Sequence, residues 1–405
     1  MLIHFSPPFI NQEIIDEVTE SLKSGWITTG PKVRQLEAMT AQLAQVENVL
    51  CVNSATSGLM LALHWFGIGK GDEVIVPAYT YAATALAVMH VGATPVMADV
   101  NEDFNIDPVK IRELITEKTK AIMPVDIAGF PCSYDEIFSI VNEKEILKKF
   151  IPKTERQKKL GRLFVLSDSA HSVGAVYKNK PSGSISDISI FSFHAVKNVT
   201  TAEGGAICLN LPSPFNNKEE YDFLRLISLN GQTKDAFTKT AGNSWKYDIV
   251  YQGFKINMPD VLAAIAITQM KIYKSEILKK RKKVFDAYNN FFLQKDWALI
   301  PPSSDESRES SYHVYLLRIK NITEQTRDKI MEEIYKNQVA VNVHFQPLPI
   351  LTLFKEKGYK IDNYPVSYKN YAGEISLPIY PQLSDENVKT VCEAVESAYN
   401  KVVQA

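Results

Sequence analysis

Short apolar runs alternate along the chain with longer stretches in which apolar residues recur every three or four positions. The runs are VLCV, EVIVPA, TPVMAD, AIMPVD, LFVLSD, ISIFSF and GGAICL. Runs of this kind predict buried strands, and the periodic stretches between them predict amphipathic helices. Strands that alternate with helices are typical of a mainly parallel sheet with helices on both faces. The sequence therefore predicts an α/β fold whose central sheet contains these seven strands.

The C-terminal part of the chain predicts a smaller α+β unit. It contains an apolar strand over 312–319, a helix over 324–336 and a last helix over 384–402. A chain of 405 residues is longer than the roughly 250–300 residues at which a single core stops growing. We therefore expect two domains, a large cofactor-binding domain over 1–277 and a small domain over 278–405.

Lys197 lies between the predicted strand 187–193 and a glycine turn that leads into the last strand of the sheet. A loop lysine is usually exposed to solvent, and that alternative stands for Lys197 taken alone. Burial would instead lower its pKa and make it a nucleophile. Asp168 follows another strand, at the edge where open α/β sheets bind ligands, although it could also cap a helix. The two side chains can therefore face one crevice.

Pyridoxal phosphate requires two groups of this kind: a lysine that forms an imine with it, and a carboxylate that keeps its pyridine nitrogen protonated. A phosphate site is predicted at the start of the helix within 53–67, because helix N-termini bind anions. Ser54, Ala55 and Thr56 could hold the phosphate, together with the hydroxyl of Ser192. Helix capping alone would also explain Ser54 or Thr56.

Six segments of the chain resemble the sugar-nucleotide aminotransferases of the DegT type. They are SGWITTGP (24–31), GDEVIVPAYTY (71–81), GATPVMADV (92–100), DSAHSVGA (168–175), SFHAVKNVTTAEGG (192–205) and GFKINMPDVLAAIAITQ (253–269). The resemblance covers nearly the whole chain and implies fold type I, with pyridoxal phosphate as cofactor and pyridoxamine phosphate as intermediate. Within the family, the lysine loop and GFKIN are most similar to UDP-4-amino-4-deoxy-L-arabinose–oxoglutarate aminotransferase.

The resemblance implies a role for each matching residue. Lys197 would form the Schiff base, and Asp168 would contact the pyridine nitrogen. His171 would lie near the phenolic oxygen, and Tyr81 would stack on the ring, a contact that aromatic side chains favour. His171 could equally be a core residue with satisfied hydrogen bonds.

Four further residues carry roles that the resemblance implies for the substrate and the assembly. Asn257 would reach the cofactor phosphate of a neighbouring subunit, with Lys255 close by as a substrate contact. His313 and His344 resemble substrate-side histidines of the small domain, although either could be structural. A homodimer with shared active sites is therefore expected, because a two-fold interface places such residues reciprocally.

The chain departs from the family pattern at a few positions. Ser167 stands where the family usually has Glu, and Asp126 stands where many members have His. Asp126 therefore leaves open which sugar or cofactor contacts its loop makes. The stretch 143–162 looks like an insertion, which loops tolerate at little entropic cost.

The implied reaction transfers an amino group from glutamate to a nucleotide-linked keto sugar and leaves 2-oxoglutarate. We expect a UDP-linked 4-keto sugar, aminated for lipopolysaccharide or capsule synthesis, with amination of a dTDP-linked 3-keto sugar as the alternative. Lys197 argues against the sugar dehydratases of the family, which carry His in its place. A non-catalytic regulatory protein on the same fold would be expected to lack Lys197 or Asp168.

Net charge and composition limit the classes of partner and the compartment that we expect. The net charge of −1 argues against a dedicated nucleic-acid or membrane surface. The four cysteines form no CxxC pair and the seven histidines show no metal-ligand spacing, so we expect reduced thiols and no metal. The N-terminus lacks the features of a signal peptide, and the most apolar stretch, 82–98, is too short and interrupted to span a bilayer. We therefore expect a cytoplasmic protein.

Overall fold

The computed structural model describes residues 2–234 and 246–404. Its largest sheet consists of β1 (Asn48–Val52), β2 (Glu73–Pro77), β3 (Thr94–Ala98), β4 (Thr119–Ile122), β5 (Phe164–Asp168), β6 (Ile188–Ser192) and β7 (Gly205–Leu209). Each of these strands overlaps one of the predicted apolar runs. Across the sheet their order is β1-β7-β6-β5-β4-β2-β3.

The sheet is mainly parallel, which confirms the predicted fold class. The pairs β2–β3, β2–β4, β4–β5 and β5–β6 are parallel. Strand β7 alone runs antiparallel to its neighbours β1 and β6. The segment 193–204, which contains Lys197, joins β6 to β7 without a helix, as an antiparallel neighbour allows.

Helices cover both faces of this sheet. They are α1 (Gln12–Lys23), α2 (Pro31–Ala44), α3 (Ala55–Phe66), α4 (Ala83–His90), α5 (Pro108–Leu114), α6 (Tyr134–Val141), α7 (Lys144–Lys149), α8 (Glu155–Leu160), α9 (Asn217–Ser228) and α10 (Asp260–Ile272). Side chains of β6 alternate between two apolar cores: Ile190 belongs to one and Phe191 to the other. Every residue of β5, β6 and β7 is buried, so both faces of the central strands are covered.

A π-helical turn, Tyr273–Ile277, joins α10 to α11 (Leu278–Phe292). The elements that follow are β8 (Ala298–Leu299), β9 (Tyr315–Ile319), α12 (Glu324–Lys336), α13 (Thr352–Glu356), α14 (Pro365–Gly373), β10 (Glu374–Leu377) and α15 (Asp385–Val403). Strands β8, β9 and β10 form an antiparallel sheet with an apolar core of its own. We propose that the two domains meet at the π-helical turn, as expected from the sequence.

The predicted elements of this C-terminal part agree closely with the observed ones. The predicted helix 324–336 is α12, and Ser384 caps α15 by accepting from the backbone nitrogen of Asn387. The predicted strand 312–319 begins only at Tyr315, because residues 312–314 belong to a loop that enters the cleft described below.

The stretch 143–162 contains the two short helices α7 and α8. Arg156 of α8 lies 5.2 Å from the ring of Trp65 and forms an ion pair with Glu220. The stretch is thus attached to α3 and α9 on the outside of the large sheet. Across the part of the chain that the structure describes, no helix combines the length and the apolar content needed to cross a membrane.

Candidate active site

A cleft of about 460 Å³ lies where several parallel strands end. Its lining includes residues that end or directly follow β1, β2, β5 and β6, the edge at which open α/β sheets bind their ligands. Most of the predicted site residues meet there: Ala55, Thr56, Tyr81, Asp168, His171, Ser192, Lys197, His313 and His344.

Lys197 is half-buried in this cleft. Burial lowers the pKa of its amine to about 8, although the negative charge of Asp168 opposes the shift. An amine with this pKa is partly neutral near pH 7 and can act as a nucleophile. The alternative of a solvent-exposed loop lysine therefore does not describe this side chain.

Asp168, the last residue of β5, is buried and held by two hydrogen bonds. Its Oδ2 accepts from Oγ1 of Thr84 (2.8 Å), and its Oδ1 accepts from the backbone nitrogen of Ala170 (3.3 Å). Burial raises the pKa of the carboxyl, while these hydrogen bonds and the Lys197 charge act in the opposite direction. The described residues 169–175 contain no helix, so Asp168 does not act as a helix cap.

The first turn of α3 forms one wall of the cleft. Ser54 caps this helix, since its Oγ accepts from the backbone nitrogen of Ser57 (3.1 Å), so the capping alternative is correct for this residue. Ala55 and Thr56 occupy the turn whose backbone N–H groups have no partner within a helix. Ser192, the last residue of β6, is buried and also lines the cleft with its hydroxyl. Free N–H groups at a helix start and a nearby hydroxyl are the kinds of group that bind anions.

Three of the histidines that line the cleft, His171, His313 and His344, are neutral groups. Burial holds the pKa of His171 and of His313 well below the usual range, and it lowers that of His344 to about 3. The positive charge of Lys197 adds to each of these shifts. All three imidazoles are therefore uncharged near pH 7, and they can donate or accept single hydrogen bonds without repelling Lys197.

Hydrogen bonds and ring contacts fix these histidines in place. Nδ1 of His171 accepts from the backbone nitrogen of Ala128 (3.2 Å), and its ring centroid lies 4.4 Å from that of His313. Nδ1 of His344 lies 2.9 Å from Oγ of Ser376. His171 is therefore a buried residue whose Nδ1 is satisfied and which also lines the cleft, so its two sequence interpretations do not exclude each other.

Tyr81 presents a large exposed ring at the cleft. The residue is 63% exposed, and its ring centroid lies 5.8 Å from that of Phe345. A ring with this much uncovered surface can stack on a flat ligand.

Asn257 and Lys255 are not among the residues that line the cleft of their own chain. Nζ of Lys255 donates to Oδ1 of Asn257 (2.7 Å), and Nδ2 of Asn257 donates to Oγ1 of Thr29 (2.6 Å). Asn257 also bridges Val52 at the end of β1. The pair thus lies beside the end of β1, outside the lining of the cleft of its own chain.

The positions that depart from the family pattern are joined by one tyrosine behind Asp168. Oη of Tyr134 donates to Oδ1 of Asp126 (2.9 Å) and is hydrogen-bonded to Oγ of Ser167 (2.5 Å). Ser172 donates to the second carboxyl oxygen of Asp126 (2.7 Å), and burial raises the pKa of this carboxyl. Neither Asp126 nor Ser167 lines the cleft.

Sequence reasoning missed several residues that line the cleft or support it from behind. Thr84 lies within the apolar helix α4, and its hydroxyl contact with Asp168 has no local signal. Glu203, which lies 3.6 Å from His194 at the cleft, directly precedes the glycine pair of the lysine loop and could have been noticed there. Phe345 contacts both Tyr81 and His171, and only the folded chain brings these rings together.

Comparisons with known proteins agree with this geometry. The DegT/DnrJ/EryC1/StrS aminotransferase family matches residues 8–148 and 151–396. The spore coat polysaccharide biosynthesis protein SpsC of Bacillus subtilis is 37% identical over 402 residues, which cover 97% of this chain and 96% of that protein.

Solved structures extend the similarity to the whole fold. The putative sugar aminotransferase Spr1654 from Streptococcus pneumoniae superposes in its PLP form with a TM-score of 0.94 at 41% identity, covering 100% of both chains. PseC of Helicobacter pylori, an aminotransferase of pseudoaminic acid biosynthesis, gives 0.84 at 26% identity over 99% of this chain and 100% of PseC. The match along most of the sequence shows that the chain belongs to the DegT/DnrJ/EryC1/StrS aminotransferase family.

Proposed function

We propose that the protein transfers an amino group from glutamate to a nucleotide-linked keto sugar, with pyridoxal phosphate as its cofactor. The observation that carries this proposal is the pairing, in one cleft, of a lysine amine whose pKa lies at about 8 with the buried carboxylate of Asp168. The PLP and PMP forms of Spr1654, 41% identical to this chain, support the cofactor.

The residues of the cleft fit this cofactor. A volume of about 460 Å³ is within the usual range for small-molecule sites. Lys197 would hold the cofactor covalently and Asp168 would bind its ring nitrogen. Further contacts would come from residues around the cofactor: Ala55, Thr56 and Ser192 at the phosphate, Tyr81 on the ring face and His171 at the phenolic oxygen.

Bound pyridoxal phosphate supplies an electron sink for the carbanion that forms when the donor loses its α-proton. Once the amino group of glutamate has replaced it at the cofactor, the amine of Lys197 would be free to take the proton from the α-carbon of the donor and to return it to the other side of the transfer. Asp168, oriented by Thr84, would stay ionised next to a protonated ring nitrogen, because a positive charge nearby lowers the pKa of a carboxyl. The same groups act in reverse order on the keto sugar.

We propose a homodimer in which Asn257 and Lys255 of each chain complete the cleft of the other. Among the described residues that line the cleft, Lys197 is the only lysine or arginine, whereas glutamate and a nucleotide diphosphate both bring several negative charges. A lysine from a second copy would supply the missing positive charge, and Asn257 would donate to the cofactor phosphate. His313 and His344 would face the sugar.

The proposed acceptor is a UDP-linked 4-keto sugar, and the proposed product serves surface polysaccharide synthesis. The lysine loop and the GFKIN segment support amination at carbon 4, and the name of SpsC connects a relative with polysaccharide synthesis. We propose the cytoplasm as the place of the reaction. The four cysteines, all buried free thiols, agree with a reducing compartment.

The test is a two-step transamination with purified protein loaded with pyridoxal phosphate. Glutamate should convert the absorbance band of bound pyridoxal phosphate to that of pyridoxamine phosphate, and a UDP-4-keto sugar should restore it. Product NMR would then identify the aminated carbon. Lys197→Ala and Lys197→Arg should both abolish the cycle, since neither side chain can form the imine, whereas Lys70→Ala on the surface should leave it intact.

Three outcomes would contradict parts of this proposal. Turnover by Lys197→Ala would remove the central assignment. Failure of glutamate to change the spectrum of the loaded protein would exclude it as the donor. Turnover restricted to dTDP-linked 3-keto sugars would overturn the carbon-4 assignment.

A further inference from the structure

Asn198 directly follows Lys197 and connects the lysine loop to His313. Its Nδ2 donates to the backbone carbonyl of Ser311 (2.8 Å). A backbone carbonyl can only accept a hydrogen bond, so the nitrogen of the amide must be the atom that faces Ser311. The amide oxygen, Oδ1, then lies 2.9 Å from Nδ1 of His313.

A tyrosine confirms this orientation of the amide independently. Oη of Tyr273 donates its one hydrogen to the carbonyl of Val173 (2.5 Å). The hydroxyl can therefore only accept from Asn198, whose Nδ2 lies 3.2 Å away. Two separate acceptors thus hold the amide nitrogen on one side and the amide oxygen toward His313.

This orientation determines where His313 carries its proton. Because Oδ1 of Asn198 can only accept, Nδ1 of His313 must donate. The imidazole is neutral, since burial holds its pKa well below the usual range, and a neutral imidazole has one N–H group. Nε2 is therefore a bare acceptor on a residue that lines the cleft, and no hydrogen bond to it is found within residues 2–234 and 246–404.

His171 has the opposite arrangement. The backbone nitrogen of Ala128 donates to its Nδ1, so the proton of this neutral ring resides on Nε2. Since the two ring centroids are 4.4 Å apart, the cleft presents a donor and an acceptor side by side. His344 differs from both, because its Nδ1 meets the hydroxyl of Ser376, which can donate or accept.

We propose that Asn198 is a positioning residue that holds His313 as the Nδ1–H tautomer, so that Nε2 of His313 accepts a hydrogen bond from a hydroxyl group of the keto sugar. The identity of the ligand rests on the proposed function, whereas the tautomer does not. An unprotonated ring nitrogen in the buried wall of the cleft can only accept a hydrogen bond. It therefore favours hydroxyl groups, which can donate, over ionised carboxylate or phosphate oxygens, which can only accept. A buried acceptor also discriminates against sugars that lack the hydroxyl, because it would stay unpaired.

The tautomer can be measured by ¹⁵N NMR of the loaded enzyme after labelling its histidines, because protonated and bare ring nitrogens resonate far apart. His313→Gln and His171→Gln assign the signals. Between pH 6 and 8, we expect a proton on Nδ1 of His313 and on Nε2 of His171. The same tautomer in both residues, or a charged His313, would overturn the proposal.

Substitution of Asn198 tests whether this residue sets the tautomer. Asn198→Leu removes the acceptor, so the Nε2–H form of His313 should appear. Asn198→Asp keeps an acceptor and should keep the proton on Nδ1, while it raises the pH at which the ring gains a second proton. Asn210→Leu is the matched control, since the nitrogen of this amide also donates two hydrogen bonds, here to the backbone carbonyls of Ser184 and Ser186, outside the cleft. An unchanged tautomer in a folded Asn198→Leu, or its loss in Asn198→Asp, would contradict the assignment.

The ligand is tested by comparing the two half-reactions. In Asn198→Leu, the KM for the keto sugar should rise about ten-fold, as expected for a lost hydrogen bond to a buried group, and the glutamate half-reaction should change less. Equal effects on both would reject the sugar hydroxyl as the ligand. If the wild-type protein aminates no keto sugar, the proposed function fails, whereas the NMR result still decides the role of Asn198.

Discussion

Gly205 and Ala55 touch through their backbones: a Cβ atom on Gly205 would lie only 2.6 Å from the backbone nitrogen of Ala55. Gly205 begins β7 and Ala55 begins α3. The missing side chain therefore lets the antiparallel strand run directly beneath the proposed phosphate site. The three atoms nearest to such a Cβ are all backbone atoms of Ser54 and Ala55. A larger residue at position 205 must therefore displace the first turn of α3.

Gly205→Ala should accordingly weaken cofactor binding. We expect a loss of stability of about 1–3 kcal/mol, which is typical of overpacking, and a Kd for pyridoxal phosphate raised by about ten-fold or more, since displaced N–H groups fit the phosphate less well. Absorbance titration and thermal unfolding measure the two effects. Gly69→Ala is the control, because a Cβ there would meet only one atom, at 3.6 Å; equal cofactor affinity in both variants would contradict the prediction.

Asp168→Asn should slow both half-reactions by about 100-fold or more, the scale on which enzymes depend on one group that controls a proton. An amide cannot keep the ring nitrogen protonated, although it can still accept from Thr84. The fold should survive, because the substitution removes a buried charge. Stopped-flow spectra of the glutamate half-reaction measure the rate, and Asp126→Asn, another buried carboxyl outside the cleft, controls for altered packing. Near-normal rates in Asp168→Asn would exclude Asp168 from the mechanism.

The amine of Lys197 should make the stability of the cofactor-free protein depend on pH. Burial lowers its pKa from 10.5 to about 8. Between these values the unfolded chain keeps a proton that the folded chain has released, so the free energy of unfolding should increase as the pH rises through this window.

Lys197→Met removes the titrating amine and, with it, this pH dependence of the free energy of unfolding. At pH 7 it should stabilise the cofactor-free protein by at most about 3 kcal/mol, the free energy that corresponds to the shift, and the advantage should disappear toward pH 10.5. Denaturant unfolding of both proteins at several pH values measures the difference, in which the titration of other groups cancels. A constant difference across the window would show that the amine is not perturbed.

Mixed dimers test the shared active site. Lys197→Ala chains and Asn257→Asp chains should each be inactive, the second because a carboxylate would repel the phosphate. Random pairing should recover about a quarter of the wild-type sites, since half of the dimers contain one site with both residues intact. If Asn257 served its own chain, no mixed dimer would contain such a site, and mixing would restore nothing.

The strands of the sheet could be predicted because each is a compact apolar run, and Asp168 and Lys197 could be placed together because both follow such runs. The order of the strands could not. Strand β7 lies between β1 and β6 and runs antiparallel, and nothing within GGAICL distinguishes it from its parallel neighbours. Its position depends on the lysine loop and on the close approach of Gly205 to Ala55.

The residues that support the site were harder to predict than those that form it. Thr84, Asn198 and Ser376 act through hydrogen bonds to partners that are distant in the sequence. Their residue types are common in helices and loops, so no local pattern marks them. Asn257 illustrates the opposite case, since a motif singled it out but a single chain leaves it outside the cleft.

The hydroxyl of Tyr134 joins Asp126 and Ser167 into one unit behind Asp168, and this limits how the sequence can diverge. A change at any one of the three positions would remove at least one buried hydrogen bond, which costs about 1 kcal/mol. A lineage could therefore reach the family's usual His and Glu at positions 126 and 167 only through a less stable ancestor or by replacing the residues together. These positions should be inherited as a block, even though none of them lines the cleft.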